Sequence, residues 1–246
     1  MSPDFVHLHT HSSYSPMWGT STLEALCEAV RSQGHDTFAL TDTNGLYGAI
    51  RFLEVAKRAG LKPILGTEII QAQHRAVLLV KSPEGYGNLC RLLSARHEDE
   101  PFEFIETIQR YRAGLVILSD DFQALTAWRA QSGEDLYVEL TPGADLQKAV
   151  SFSRQNCIPP VATTRAALLR PTDFEAHRLL RAIAENTTLS RLRPDCCCAP
   201  SHWLMPSSVM ARALPHVPEA LSNTRRIANQ CATAWDFQTT IFPSFR

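Results

Sequence analysis

The sequence lacks three features that would point to a function class at once: a charge excess, a long apolar run and a basic leader. Its 246 residues carry 24 Lys and Arg against 25 Asp and Glu, a formal net charge of −1. No global positive field would recruit nucleic acid, so contact with DNA would be local or made elsewhere in a longer chain. No stretch approaches the roughly 20 apolar residues that span a bilayer, and no signal peptide pattern is present. We expect a cytoplasmic protein without a membrane partner.

The seven cysteines show no spacing typical of a zinc knuckle. Cys196, Cys197 and Cys198 are adjacent in sequence, and adjacent cysteines rarely bind one tetrahedral ion. We interpret this run as a reduced loop segment in a reducing compartment.

Short apolar strand patterns alternate with amphipathic helix patterns along most of the chain. After the histidine-rich segment at 5–15, strands are predicted at 36–42, 61–70, 75–81, 114–120, 135–141 and 159–164. Helices are predicted at 21–34, 45–60, 88–97, 101–111, 122–131, 144–156 and 172–186. With the histidine segment as the first strand, seven strands favour a parallel sheet or a closed barrel, with function at the strand C-terminal ends.

The alternation of strand and helix patterns ends after residue 187. Residues 191–206 carry three prolines and no periodicity, which predicts a loop, and residues 213–232 return to a helix pattern with Pro218 near its start. We expect a barrel over 1–187, and over 188–246 a C-terminal loop and helix of the same domain. The extended last residues suggest a fragment of a longer protein.

Three histidines alternate with other residues in FVHLHTHSSYS. His7, His9 and His11 would share one face of an extended strand, where neutral imidazoles can bind a metal ion. A row of buried histidines is hard to satisfy otherwise, so we predict a metal site, present or relict.

Two carboxylates follow at the ends of neighbouring predicted strands. Asp42 ends one strand and Glu68 lies in the Gly-Thr-Glu of the next, and both could join the imidazoles in a mixed nitrogen and oxygen site. Taken alone, Asp42 would be a helix cap and Glu68 a surface turn residue. Together with three histidines, the metal-site interpretation is favoured.

Several motifs of this chain resemble, in order, those of the polymerase-and-histidinol-phosphatase (PHP) domain. The resemblance is greatest to the PHP domains that open bacterial DNA polymerase III alpha subunits. It extends over nearly the whole chain, through HLHTHSSYS, ALTDTNGLYGAIRFLEVAKRAGLKPILGTEI, VLLVKSPEGYGNLCRLLS, AGLVILSD, VATT, DFEAH and HVPEALSNTRRIANQC.

The resemblance implies a distorted seven-stranded (βα) barrel at the front of a much larger polymerase chain. Active members of the family hold up to three metal ions and hydrolyse phosphoesters. Of the family's ligand motifs, the H-x-H falls on His9 and His11, with His7 just before it, and the G-x-E falls on Glu68.

The departures from the family pattern weaken the metal site. Thr43 replaces the histidine of T-D-H, Arg165 and Ala167 replace the two ligands of the late D-x-H, and Trp18 replaces an acidic residue. His97 remains near a mid-chain motif that is otherwise lost. A catalytic metal cluster needs bridging carboxylates, whereas a fixed guanidinium beside a dication is repulsive.

We therefore expect Arg165 to pair with Glu68 or Asp42 and to neutralise the emptied site. No tightly bound cofactor is expected. The alternative is a single Zn²⁺ or Mn²⁺ at the residual ligands, with water in an open position.

Three functions remain in competition. The favoured one is a structural domain that packs against the polymerase body, offers a docking surface for a proofreading exonuclease subunit and meets DNA only through the full-length polymerase. The second is an active metal-dependent phosphoesterase or 3′–5′ exonuclease. The third, disfavoured by the polymerase-like C-terminal helix, is a freestanding enzyme similar to histidinol phosphatase.

Overall fold

The computed structural model describes residues 5–98, 101–143, 145–235 and 237. Six strands form one sheet in these residues. They are β1 (Thr37–Leu40), β2 (Lys62–Gln71), β3 (His74–Val80), β4 (Leu115–Ser119), β5 (Leu136–Leu140) and β6 (Pro160–Ala162).

Except for α8, the helices lie in the intervals that the periodicity predicted, with shifted ends. They are α1 (Leu23–Ser32), α2 (Ala49–Ala59), α3 (Pro83–His97), α4 (Phe104–Tyr111), α5 (Phe122–Gln131), α6 (Leu146–Asn156), α7 (Phe174–Ala184), α8 (Ser207–Ala213) and α9 (Pro218–Ala228). Thr22 caps α1 by accepting a hydrogen bond from the Ala25 N–H, and Gly60 ends α2 at φ +70°. The helix predicted at 213–232 is α9, which begins only at Pro218 and ends at Ala228, whereas α8 precedes that range except for Ala213 and was not predicted. Among the described residues, no helix combines the length and apolar character that crossing a bilayer demands.

The sheet follows chain order but is not wholly parallel, so the prediction of a parallel sheet is wrong for β3. This strand runs antiparallel to both β2 and β4, whereas β1–β2, β4–β5 and β5–β6 are parallel. Only Ala72 and Gln73 connect β2 to β3, and Ala72 adopts φ 51°. A connection of two residues can make a hairpin but not a crossover.

The histidine segment, predicted as the first of seven strands, is not confirmed as a strand. Residues 5–11 form only an isolated bridge, between Thr10 and Ala166. Their backbone nevertheless bonds on both sides. The Ala39 N–H donates to the His7 carbonyl at 2.8 Å, and the His11 N–H donates to the Ala166 carbonyl at 2.8 Å. The histidine segment therefore lies between β1 and the residues that follow β6.

Both faces of the sheet are covered by apolar side chains. Leu78 and Val80 join the larger cluster, which packs beneath the helices, whereas Val77 and Leu79 join a second cluster on the opposite face. This division follows the two-residue period of a strand. Ile227 brings α9 into the second cluster.

α9 also holds the histidine segment by a buried hydrogen bond. The Val6 N–H donates to Thr224 Oγ1 at 2.8 Å, and Asn223 of the same helix donates to the Pro160 carbonyl at 2.8 Å. The C-terminal helix thus contacts both segments that border the candidate site.

We predict that Thr224→Val lowers the free energy of unfolding by about 1–3 kcal/mol, because the Val6 N–H loses its acceptor inside the protein. Urea denaturation measures this change. Ser222→Ala on the exposed side of α9 is the matched control and should change stability by less than about 0.5 kcal/mol. Equal stability of both variants would contradict the anchoring role of Thr224.

Candidate functional site

The site lies where the histidine segment passes the end of β2. An isolated bridge between Thr43 and Glu68 joins β2 to the residues that follow β1. The Glu68 N–H also donates to the Asp42 carbonyl at 3.2 Å. Gly66 lets β3 lie close to β2 beside Glu68, because a Cβ there would lie 2.6 Å from the Leu78 carbonyl oxygen. The backbone thereby places the Glu68 carboxylate against the imidazoles.

His9, His11 and Glu68 form a buried triad. His9 Nε2 lies 3.1 Å from His11 Nε2 and 3.4 Å from Glu68 Oε1, and His11 Nε2 lies 3.6 Å from Glu68 Oε2. Ligands about 2.0–2.1 Å from a tetrahedral ion stand about 3.3 Å apart. The triad therefore has the spacing to hold one small divalent cation.

Glu139 orients the first of these histidines. Its Oε1 accepts a hydrogen bond from His9 Nδ1 at 2.6 Å and another from the Thr163 hydroxyl at 2.5 Å. With Nδ1 directed at Glu139, Nε2 faces the triad. Burial opposes a charged ring, but the adjacent carboxylates of Glu139 and Glu68 outweigh it and raise the pKa of His9.

Arg165 holds the other oxygen of Glu139. Its Nε and one terminal nitrogen donate to Glu139 Oε2 at 3.0 and 2.6 Å, and that terminal nitrogen lies 2.8 Å from Asp120 Oδ2. Burial would lower the pKa of Arg165, yet Glu139 and Asp120 raise it, so the guanidinium is charged. The Arg165 backbone adopts φ 45°, a left-handed conformation that is uncommon for a residue other than glycine.

The prediction that Arg165 pairs with Glu68 or Asp42 is wrong. Within the described residues, neither carboxylate forms an ion pair with this arginine. Glu139 in β5 is nearer, because β5 and β6 pair in parallel and Arg165 follows β6 directly. Glu68 instead lies 3.9 Å from the Nε of Arg75, which also pairs with Asp120 at 3.0 Å.

Asp42 is outside the triad and is satisfied by loop donors. It accepts hydrogen bonds from the Ser12 N–H at 2.7 Å, the Ser12 hydroxyl at 2.8 Å and the Ser15 hydroxyl at 2.6 Å. Burial raises the pKa of Asp42, and this effect is larger than the lowering caused by the three hydrogen bonds. Ser15 Oγ lies 3.2 Å from His11 Nδ1, so Asp42 acts on the triad by positioning His11.

His7 also lies apart from the triad. Its Nε2 is 3.3 Å from Gln33 Oε1, and its ring makes an edge contact with His35 at 5.1 Å between centroids. Burial, aided by His35, lowers the pKa of His7 to about 3, so the ring is neutral.

Besides Arg165, two family ligand positions are substituted in this chain, Thr43 and Ala167. The Thr43 hydroxyl donates to Glu68 Oε2 at 3.3 Å, and the Ala167 N–H donates to the His202 carbonyl at 3.0 Å. The loop at 201–205, which forms an isolated bridge between Trp203 and Leu168, thus brings the His202 backbone beside the position where the family has a histidine. None of the residues from Cys196 to Cys198 belongs to a group of ligand atoms in the described chain.

Sequence reasoning missed four of the residues that complete the site. A signal existed for Glu139, since a carboxylate inside the apolar strand LYVEL needs a buried partner. No comparable signal marked the other three, which are Arg75, Asp120 and His202.

Comparison with known proteins gives this arrangement a family. Residues 7–140, more than half of the chain, match the family described as the PHP domain. The chain belongs to the PHP domain family. The matched range contains His7, the whole triad and Glu139, and it stops before Arg165.

Curated relatives of this PHP domain are long polymerase chains. It is 29% identical to DNA polymerase III subunit alpha of Buchnera aphidicola over 280 aligned residues, 99% of this chain and 24% of the relative. It is also 29% identical to the error-prone DNA polymerase of Symbiobacterium thermophilum over 286 residues, 98% of this chain and 26% of the relative. The chain spans about a quarter of the length of the curated relatives it matches.

A solved structure supports the fold. A two-domain protein of Bacteroides vulgatus, described as containing a predicted PHP-like metal-dependent phosphoesterase, superposes with a TM-score of 0.51. The match covers 92% of this PHP domain and 66% of that chain, at 13% sequence identity. At this identity the likeness shows a shared α/β architecture.

We predict that Glu139→Gln lowers the free energy of unfolding by about 3 kcal/mol, because it leaves the buried Arg165 charge without its main partner. Guanidinium denaturation at neutral pH measures the loss. Glu134→Gln, in the exposed turn before β5, is the matched control and should be near neutral. A Glu139→Gln protein as stable as the control would show that the Arg165–Glu139 pair does not stabilise the site.

Proposed function

We propose that this chain is the N-terminal PHP domain of a cytoplasmic bacterial DNA polymerase of the polymerase III alpha type. In this proposal it is a structural domain that packs against the polymerase body, can dock a proofreading exonuclease subunit and meets DNA through the longer chain. Matches to polymerase relatives over nearly the whole domain support it. The architecture in this proposal is a distorted seven-stranded barrel, in which residues 5–11 take the place between β1 and β6.

The observation that carries the structural role is the pairing of Arg165 with Glu139 and Asp120. Two carboxylates at strand ends are the groups that could bridge a second cation, and a guanidinium already occupies both. Arg165 donates to Glu139 through two nitrogens, which a metal ion would have to displace.

The carboxylates of the site have cationic partners without any metal. Arg165 pairs with Glu139 and Asp120, and Arg75 pairs with Asp120 and lies 3.9 Å from Glu68. A buried network is stable when each charge is compensated. These pairings support a domain that keeps its fold without a tightly bound ion.

The residues fit one ion and not a catalytic cluster. His9, His11 and Glu68 would hold a single Zn²⁺ or Mn²⁺, which when bound would lower the pKa of a coordinated water. Hydrolysis by a cluster also needs carboxylates that bridge two ions. Here Glu139 is held by Arg165, Asp42 by two serines, and Ala167 offers no ligand atom.

The spacing of the triad is the one observation that favours the second function, a metal-dependent phosphoesterase. The two functions differ in turnover. We predict no release of phosphate from a generic ester and no release of nucleotide from single-stranded DNA above background, with millimolar Mn²⁺ or Zn²⁺ present.

His9→Ala is the control for this measurement, since it removes one member of the triad and the partner of Glu139. Metal-dependent turnover by the unmodified chain that disappears in His9→Ala would overturn the structural proposal and favour the enzyme. Background rates in both proteins, with native circular dichroism spectra, are the expected outcome.

A further inference from the structure

Three adjacent cysteines lie in the loop between α7 and α8, outside the candidate site. Cys196 and Cys197 are partly exposed, whereas Cys198 is buried, and all three are free thiols. Burial raises the pKa of Cys198 to about 12 and also raises the pKa of Cys197. The thiolate is the form that attacks an electrophile, so burial makes these two sulfurs poor nucleophiles. Cys196 is the member of the run whose surroundings favour reaction.

The Cys196 sulfur lies beside a guanidinium. Arg193 donates a hydrogen bond from a terminal nitrogen to Cys196 Sγ at 3.6 Å. Asp195 Oδ1 is farther from the sulfur, at 3.9 Å, and the same carboxylate pairs with Arg193 at 3.4 Å. Reactive cysteines occur next to Lys, Arg or protonated His, because a nearby cation stabilises the anionic sulfur that attacks. The partial exposure of Cys196 leaves this sulfur accessible to a reagent.

α7 holds the backbone on which this thiol is placed. Arg181 Nε donates to the Cys196 carbonyl at 2.7 Å, and the Cys198 N–H donates to His177 Nε2 at 2.9 Å. His177 Nδ1 in turn donates to the Trp18 carbonyl at 2.8 Å. The loop therefore presents Cys196 from a fixed segment.

A cavity of about 540 Å³ opens beside Cys196 and is lined by the residues that flank it, Pro194 and Cys197. The charged side chains of its lining are two arginines, Arg178 and Arg193, and the rest of the lining is mainly apolar. The carboxylates that pair with these arginines, those of Glu175 and Asp195, are 71% and 70% exposed. Exposed ion pairs are weak, so a carboxylate from solution can replace them. The cavity suits a small molecule that carries carboxylate groups.

We propose that Cys196 is a thiolation site for a low-molecular-weight disulfide that carries carboxylates, with the adjacent cavity as its binding site. The Cys196 thiol loses its proton to solvent, and the thiolate attacks one sulfur of the ligand. The S–S bond of the ligand breaks, its other half leaves as a thiolate that takes up a proton, and a mixed disulfide remains on Cys196. Adjacent Cα atoms are about 3.8 Å apart, below the roughly 4.4 Å at which usual disulfides begin, so Cys197 does not displace the bound half.

Oxidised glutathione is the probe for this site, with the full chain folded at neutral pH and each cysteine followed by peptide mass spectrometry. Cys157 is the internal control, since it is exposed and its sulfur lies 4.0 Å from the Arg154 carbonyl oxygen. We expect Cys196 to form the mixed disulfide at least about fivefold faster than Cys157. Arg193→Gln should remove most of this advantage. Arg191→Gln, which removes an exposed charge from the same loop, is the matched control and should keep it.

The disulfide of mercaptoethanol, which has no charge, tests the cavity. Its ratio of rates at Cys196 and Cys157 should be smaller than the ratio for oxidised glutathione, and Arg178→Gln should lower the glutathione ratio toward it. The thiolation site is overturned if Cys157 reacts with oxidised glutathione as fast as Cys196, or if Arg193→Gln leaves the ratio unchanged. Equal ratios for the two disulfides would overturn the assignment of the cavity to a carboxylate-bearing ligand.

Discussion

The buried ion pair between Arg165 and Glu139 is the constraint on which the rest of the site depends. Both side chains are removed from water, which costs several kcal/mol per charge unless each is compensated. The Glu139 carboxylate is compensated by its ion pair with Arg165 and by hydrogen bonds from His9 and Thr163. Arg165 also pairs with Asp120. The same carboxylate therefore fixes the arginine and the tautomer of the first triad histidine.

This arrangement separates the metal-binding residues from the metal chemistry of their family. The triad keeps the spacing for one cation, but the neighbouring carboxylates already have a permanent organic cation. A guanidinium can pair with two carboxylates, as Arg165 does, but it cannot activate water as a dication does. The fold of a PHP domain thus remains, and in our proposal the paired charges of the site need no metal ion.

The local parts of the fold were predictable because short-range patterns determine them. The period of the helices, the cap at Thr22 and the apolar strands β4 and β5 follow from neighbouring residues. The two residues between β2 and β3 could also have indicated a hairpin. The idea of three histidines on one face assumed a regular strand over residues 5–11, which the segment does not form, and His7 has separate partners.

The candidate site was predictable only in part because its partners come from distant segments. His9, His11 and Glu68 were found from motif spacing, and the substitution at Arg165 from the resemblance to the family's late D-x-H motif. Its true partner depends on the pairing of β5 with β6, which no local pattern reveals. His202 reaches the site through backbone pairing of a proline-containing loop with Ala167 and Leu168.

The central claim is that the Arg165 guanidinium, in place of a metal ion, stabilises the buried carboxylates of this site. The most direct measurement is the free energy of unfolding of the unmodified chain and of Arg165→Met, each in chelator and in millimolar Mn²⁺. The account predicts that Mn²⁺ leaves the unmodified chain unchanged, whereas Arg165→Met is less stable in chelator and regains stability with Mn²⁺ through the freed carboxylates. A rise in stability of the unmodified chain with Mn²⁺, equal to that of Arg165→Met, would contradict it.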